Sequence, residues 1–234
     1  MDSATYRFRA AALAGIAVIT LTVVMAFFYP THLDTMPAGY STPILAIEMV
    51  PSLAAAQTLF AGNEALVHQV QWGHYLDMLF LLAYGALLLL SHWGFWLLQR
   101  RWLNVLGIAV ILIAISADAS ENLNLMQLGD ALLGQSAPPD FWLLRGFVCT
   151  KFLGIGISML CLCPGLWYQG KLGKAFTLCT LLLAPVTLGA VLDIPVLVEA
   201  MGKLIALAWL LLFLWLIRAR YGVAATVAAP APTA

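Results

Sequence analysis

Asp118, Glu121 and Asn122 stand at i, i+3 and i+4, so a helix over this stretch puts two carboxyls and a carboxamide on one face. Neighbouring carboxyls drive their proton affinities apart, so one can give a proton while the other takes one. Lys151 and Arg145 supply cations able to stabilise negative charge as it develops. Asp77, in the first turn of another apolar run, completes the set of catalytic candidates. All five sit in, or at the ends of, segments apolar enough for lipid, where an ionisable group is costly and by default marks a functional site.

A second tier would hold a substrate or form a lid: Asn122, Glu48 and His74. Glu48 qualifies if the proline-broken segment around it folds over the site. His68, His74 and Asp77 are metal-ligand types lying close in sequence, and His with carboxylate suits Zn, Fe or Mn. No HxxH, HxxxH or HExxH spacing occurs, however, and residues six apart on a helix face different ways, so no metal is assigned. No P-loop, GxSxG, GxGxxG or haem pattern is present, so no cofactor is assigned either. Cys149, Cys161, Cys163 and Cys179 all lie in apolar runs and read as small buried residues.

The elements that must position these groups follow from composition. The chain has 234 residues, 63% hydrophobic and 9% charged. Soluble domains are roughly 45–50% apolar and about 25% charged. The deficit of charge runs along the whole chain, which points to an all-α integral membrane protein, a bundle of six transmembrane helices. The expected spans are about 10–29, 75–96, 102–122, 141–167, 175–192 and 202–217, forming one domain over 1–221. The first is read as a retained span, because its apolar run exceeds the ~7–15 residues of a signal peptide core. Between the first and second spans, 43–60 is apolar but broken by Pro51, so each half is too short to cross; two short interfacial helices or a lid are expected. Asn122 is expected near a helix end, 123–140 as a loop, and 222–234 as a disordered tail.

Arg7, Arg9, Arg100, Arg101, Lys171, Lys174, Arg218 and Arg220 fall on one side of this layout. The positive-inside rule makes that side cytoplasmic and both termini with it, in the cell's inner, plasma membrane. Of the eleven acids, Asp2 alone shares that side. Counting helical rise, Asp118 stands about 24 Å up a ~30 Å core from Trp102, and Lys151 lies about 15 Å deep, near the midplane. Lys151 needs a carboxylate, and Asp118 is the expected partner; Arg145 is expected to reach Asp77, Asp118 or Glu121.

The function these features favour is a small membrane-embedded enzyme working by acid–base chemistry on an apolar or lipid-like substrate near the outer leaflet. Two alternatives use the same residues: a transporter or proton-coupled carrier, and a non-catalytic subunit of a membrane complex. A carrier needs polar groups continuing to the cytoplasmic face, and the spans carry few below Lys151. The expected partners are the lipid bilayer and a lipid-like small molecule. Zero net charge without a basic run excludes nucleic acid, and the sequence sets no oligomeric state.

Overall fold

A computed structural model of the chain describes residues 3–222, with side chains through Ala219. Among the described residues eight helices form: α1 (Ser3–Met25), α2 (Pro43–Glu48), α3 (Leu53–Phe60), α4 (Glu64–Gln99), α5 (Trp102–Leu132), α6 (Phe141–Leu166), α7 (Gly170–Val191) and α8 (Pro195–Gly222). All but α2 and α3 are long and apolar enough to cross a membrane. The protein is an all-α bundle of six such helices. The expected tail lies outside the described residues, except that Gly222 ends α8.

Each long helix packs on the next in the order α1, α4, α5, α6, α7, α8, and α8 returns to α1, so the six close a ring. The chain's own chemistry sets the breaks. Ser52 Oγ accepts from Ala55 N–H at 3.2 Å to start α3, and Asn63 Oδ1 accepts from Leu66 N–H at 3.1 Å to start α4. Asp140 Oδ1 accepts from Trp142 and Leu143 N–H at 2.8 and 3.2 Å to start α6. Pro43 and Pro195 each occupy a first helical position, where a missing N–H costs nothing.

Several boundaries differ from the sequence expectation: α1 covers Ser3–Met25 rather than 10–29, α7 begins at Gly170 rather than 175, and α8 at Pro195 rather than 202. The largest differences are in α4 and α5. Helix α4 begins at Glu64 rather than near 75, and α5 runs to Leu132 rather than ending near 122. The polar residues that suggest loops there are surface positions of continuing helices. Val67, Val70 and His74 on α4, and Leu125, Leu128 and Gly129 on α5, are buried at helical spacing. Gln71 Nε2 donates to Asp130 Oδ1 at 2.7 Å and ties the two extensions together. At 36 residues α4 is about 54 Å long, well beyond a ~30 Å hydrocarbon core. Gly134, at φ +73°, and Pro138–Pro139 stop α5.

The 43–60 segment does break into two helices around Pro51. Yet α2 does not lie on the surface: Pro43, Leu45, Ala46, Ile47 and Glu48 are all buried, and α2 packs against α6. Glu199 on α8 holds its start. Its Oε1 accepts from Ser41 and Thr42 N–H at 2.9 and 2.7 Å, and its Oε2 accepts from both hydroxyls at 2.8 Å.

Candidate functional site

Lys151 is 5% exposed and lies among three carboxyls. Its Nζ is 2.6 Å from Glu121 Oε1, 3.2 Å from Glu48 Oε1 and 3.5 Å from Asp118 Oδ1. Three helices meet here: α5 supplies Asp118 and Glu121 from one face, α6 supplies the ammonium and α2 brings Glu48 from above. Tyr84 on α4 donates its hydroxyl to Asp118 Oδ2 at 2.6 Å.

A second strand of contacts leads away from this centre. Asn122 Nδ2 donates to Asp77 Oδ2 at 3.0 Å, while its Oδ1 lies 3.2 Å from His74 Nδ1. The Tyr29 hydroxyl lies 3.2 Å from the same ring nitrogen. With Asn122 so oriented, its Oδ1 requires a proton on His74 Nδ1, which fixes the neutral ring's tautomer. Burial, followed by the charges of Asp77 and Glu48, pushes the Tyr29 phenol well above its usual range, so it stays protonated; with the proton on His74 Nδ1, the Tyr29 oxygen accepts in that contact.

Glu48, Asp77, Asp118 and Glu121 face one ammonium. Full ionisation would bury three uncompensated negative charges, each costing several kcal/mol in a dry site. At Glu48, on the short α2, burial raises the carboxyl above its ordinary value, outweighing the pull of Lys151. Glu48 Oε2, Asp118 Oδ1 and Glu121 Oε2 are buried without a hydrogen-bond partner.

The cluster forms one wall of a cavity of about 420 Å³. Glu48, Asp77, Asp118 and Lys151 line it; Glu121 stands behind Lys151 and does not. The remaining walls are apolar or aromatic, with Trp209 of α8 stacked on Tyr84 at a centroid distance of 5.1 Å. Helices α1 and α8 touch where Phe8 meets Trp215 and where Gly15 meets Phe213. From there to Met25 and Gly202 the cavity lies between them. Ile19, Val23, Ala206 and Leu210 line it yet are exposed on the flank of the bundle, so the cavity opens sideways.

Toward the arginine-bearing end the interior closes. Leu88, Ile111 and Ala114 are fully buried, and Ile155 is nearly so. Beyond them His92 lies 3.0 Å from Ser158 Oγ and 3.4 Å from Asn104 Oδ1, a buried polar knot outside the lining of this cavity.

The structure thus brings Asp118, Glu121, Lys151 and Glu48 into one cluster, with Asp77, Asn122 and His74 hydrogen-bonded in a strand of contacts beside it and Asp77 on the same cavity wall. Asn122 sits in mid-helix, not at a helix end. Arg145 is elsewhere: its guanidinium lies 3.3 Å from Asp193, 2.7 Å from Met49 Sδ and 3.4 Å from the Ala190 carbonyl. Lys151 and Arg145 are six positions apart, about 120° around the helix, so they cannot share a face. His68 is exposed on the far side of α4 from His74. Among the described residues no group of three or more His, Cys, Asp or Glu is arranged to hold a metal ion. The sequence reading missed Tyr84, although it lies two turns beyond Asp77 and hence on the same face. Tyr29 and Trp209 carried no comparable signal.

No family model, curated protein or solved structure matches this chain.

Proposed function

We propose that this is a membrane-embedded enzyme whose buried carboxyls carry out acid–base chemistry on an amphiphile entering between α1 and α8. One observation carries the reading: the carboxyl–lysine cluster forms a wall of an otherwise apolar cavity that opens on the bilayer-facing flank. An ion-pair network that served only to pin helices would have no reason to face a cavity. Convergent polar groups in an apolar pocket of this size are the usual form of a small-molecule site.

The roles follow from position. Asp118 lines the cavity with one oxygen 3.5 Å from the Lys151 ammonium and the other held by Tyr84, so it is oriented for proton exchange. Glu48 faces the same space and holds a proton readily. Lys151, anchored from behind by Glu121, stabilises negative charge that develops as a proton leaves the substrate. Asp77 shares the wall, positioned by Asn122 and His74. On the positive-inside reading, the cluster sits in the outer half of a plasma-membrane protein whose termini are both cytoplasmic.

A carrier is disfavoured by the apolar layer of Leu88, Ile111 and Ala114, which blocks any continuation toward the other face. The test is turnover. Purified protein in nanodiscs is incubated with a lipid extract of its own host membrane, and the lipids are followed by mass spectrometry beside Asp118→Asn. The expected result is a species consumed in proportion to protein and time by the native chain and spared by a folded Asp118→Asn. Identical lipid profiles from the two would overturn the enzyme reading.

A further inference from the structure

The charge and hydrogen-bond balance of the cavity wall selects its ligand. Counting donors against acceptors, the wall has an excess of oxygens. Glu48 Oε2 has no hydrogen-bond partner and Asp118 Oδ1 has only the Lys151 ammonium at 3.5 Å; both residues are more than nine-tenths buried and line the cavity. The one cation on the wall, Lys151, is already shared among three carboxyls. Arg145 is committed to Asp193 and lies outside the lining. An anionic head group, phosphate or carboxylate, would meet the carboxyl surplus, with the Trp209 indole N–H as the free donor set against it. A donor-rich cation would meet an open acceptor at Glu48 Oε2, a second at Asp118 Oδ1 held only by a long ion pair, and would reduce the cluster's excess charge.

The surroundings fit the same chemistry. Tyr29, Phe80, Tyr84, Phe152 and Trp209 ring the polar end of the cavity, and aromatic faces attract cations. The rest is aliphatic and opens sideways, as a single hydrocarbon chain requires. Trp209 Nε1 is also buried without a partner, a position where an oxygen on the ligand could accept.

We infer that the cavity binds a cationic amphiphile, a protonated amine at the Glu48–Asp118 wall with its apolar chain leaving between α1 and α8. This rests on the reading of the cavity as a substrate site and names the substrate class.

The test is binding selectivity at fixed chain length. Protein in phosphatidylcholine nanodiscs is titrated with dodecylamine, dodecanol and dodecanoic acid, with empty nanodiscs subtracted. The amine should bind about tenfold or more tightly than the alcohol, and the acid weakest. Asp118→Asn and Glu48→Gln should each bring the amine toward the alcohol's affinity. Ala206→Trp, an exposed position at the mouth, should block all three without touching the charged wall. Acid binding as tight as amine, an amine preference that survives both carboxyl substitutions, or binding unaffected by Ala206→Trp would each overturn the assignment. Turnover of a lipid without amine selectivity removes this inference and leaves the enzyme reading standing. Amine selectivity without turnover does the reverse.

Discussion

Lys151 on α6 makes its shortest contact with Glu121 on α5, Nζ to Oε1 at 2.6 Å, with both residues sealed from solvent. Glu48 and Asp118 approach the same ammonium, so the pair sits inside a group with more acid than base. That imbalance makes the two sides of the ion pair unequal. Removing the lysine strands every carboxyl, at a cost on the order of 3–5 kcal/mol. Removing one acid relieves an excess. Lys151→Met should therefore be strongly destabilised, while Glu48→Gln stays within about 1 kcal/mol of the native chain. Thermal unfolding in detergent measures both; equal losses would mean that the carboxyls are not in surplus.

A pH dependence follows from Glu48. Its carboxyl titrates above the ordinary value of 4.5 in the folded chain, because burial outweighs the attraction of Lys151. The folded state thus holds this proton more tightly than the unfolded one. The resulting stabilisation is fully present below pH 4.5 and is lost as pH rises through the folded value. Glu48→Gln lacks the effect. The melting temperature of the native chain should fall relative to that of Glu48→Gln as pH is raised from 4.5. A difference of the opposite slope would contradict the assignment.

Glu199 is the tether that keeps Glu48 in place. It accepts four hydrogen bonds from Ser41 and Thr42, directly ahead of α2. Glu199→Ala should cost at least about 2 kcal/mol, since hydrogen bonds to a charged group are the stronger kind. It should also speed proteolytic cleavage within 30–42. Unchanged cleavage would show that α2 is held by its apolar contacts alone.

The bundle was legible in the sequence where apolar length decided the outcome. Six runs of lipid-spanning length became six helices, and Pro51 split 43–60 as proline chemistry requires. The ends of α4 and α5 were not legible, because His68, Gln71, Asn124 and Gln127 read as loop while Val67, Val70, Leu125 and Leu128 carry the buried stripe. At the site, helical rise alone paired Lys151 with Asp118. The lysine reaches one turn further to Glu121, which depth estimates without rotation about the axis do not resolve. The same rotation, applied to Arg145, would have placed it on another face. Glu48 was a candidate only on condition that 43–60 folds over the site, and the burial of α2 meets that condition; the aromatic wall from α8 is a tertiary feature with no local pattern.

The orientation drawn from the basic residues predicts labelling. In a cysteine-free background, Gln135→Cys should react with an impermeant maleimide on intact cells, and Lys171→Cys only after lysis. Both positions are exposed in the fold. The reverse pattern would put the carboxyl-bearing end of the cavity in the cytoplasmic half.

The central claim is that the cluster performs chemistry and does not merely pin α5 to α6. Its most direct test measures stability and lipid turnover in the same preparation of a Lys151→Met/Glu121→Leu double variant. Replacing a buried pair with apolar groups is often tolerated, but Glu48 and Asp118 keep no cation here, so the double variant should recover only part of the stability lost in Lys151→Met alone. The folded double variant should form no product. Product formed at the native rate would show that Lys151 and Glu121 are only a structural pin.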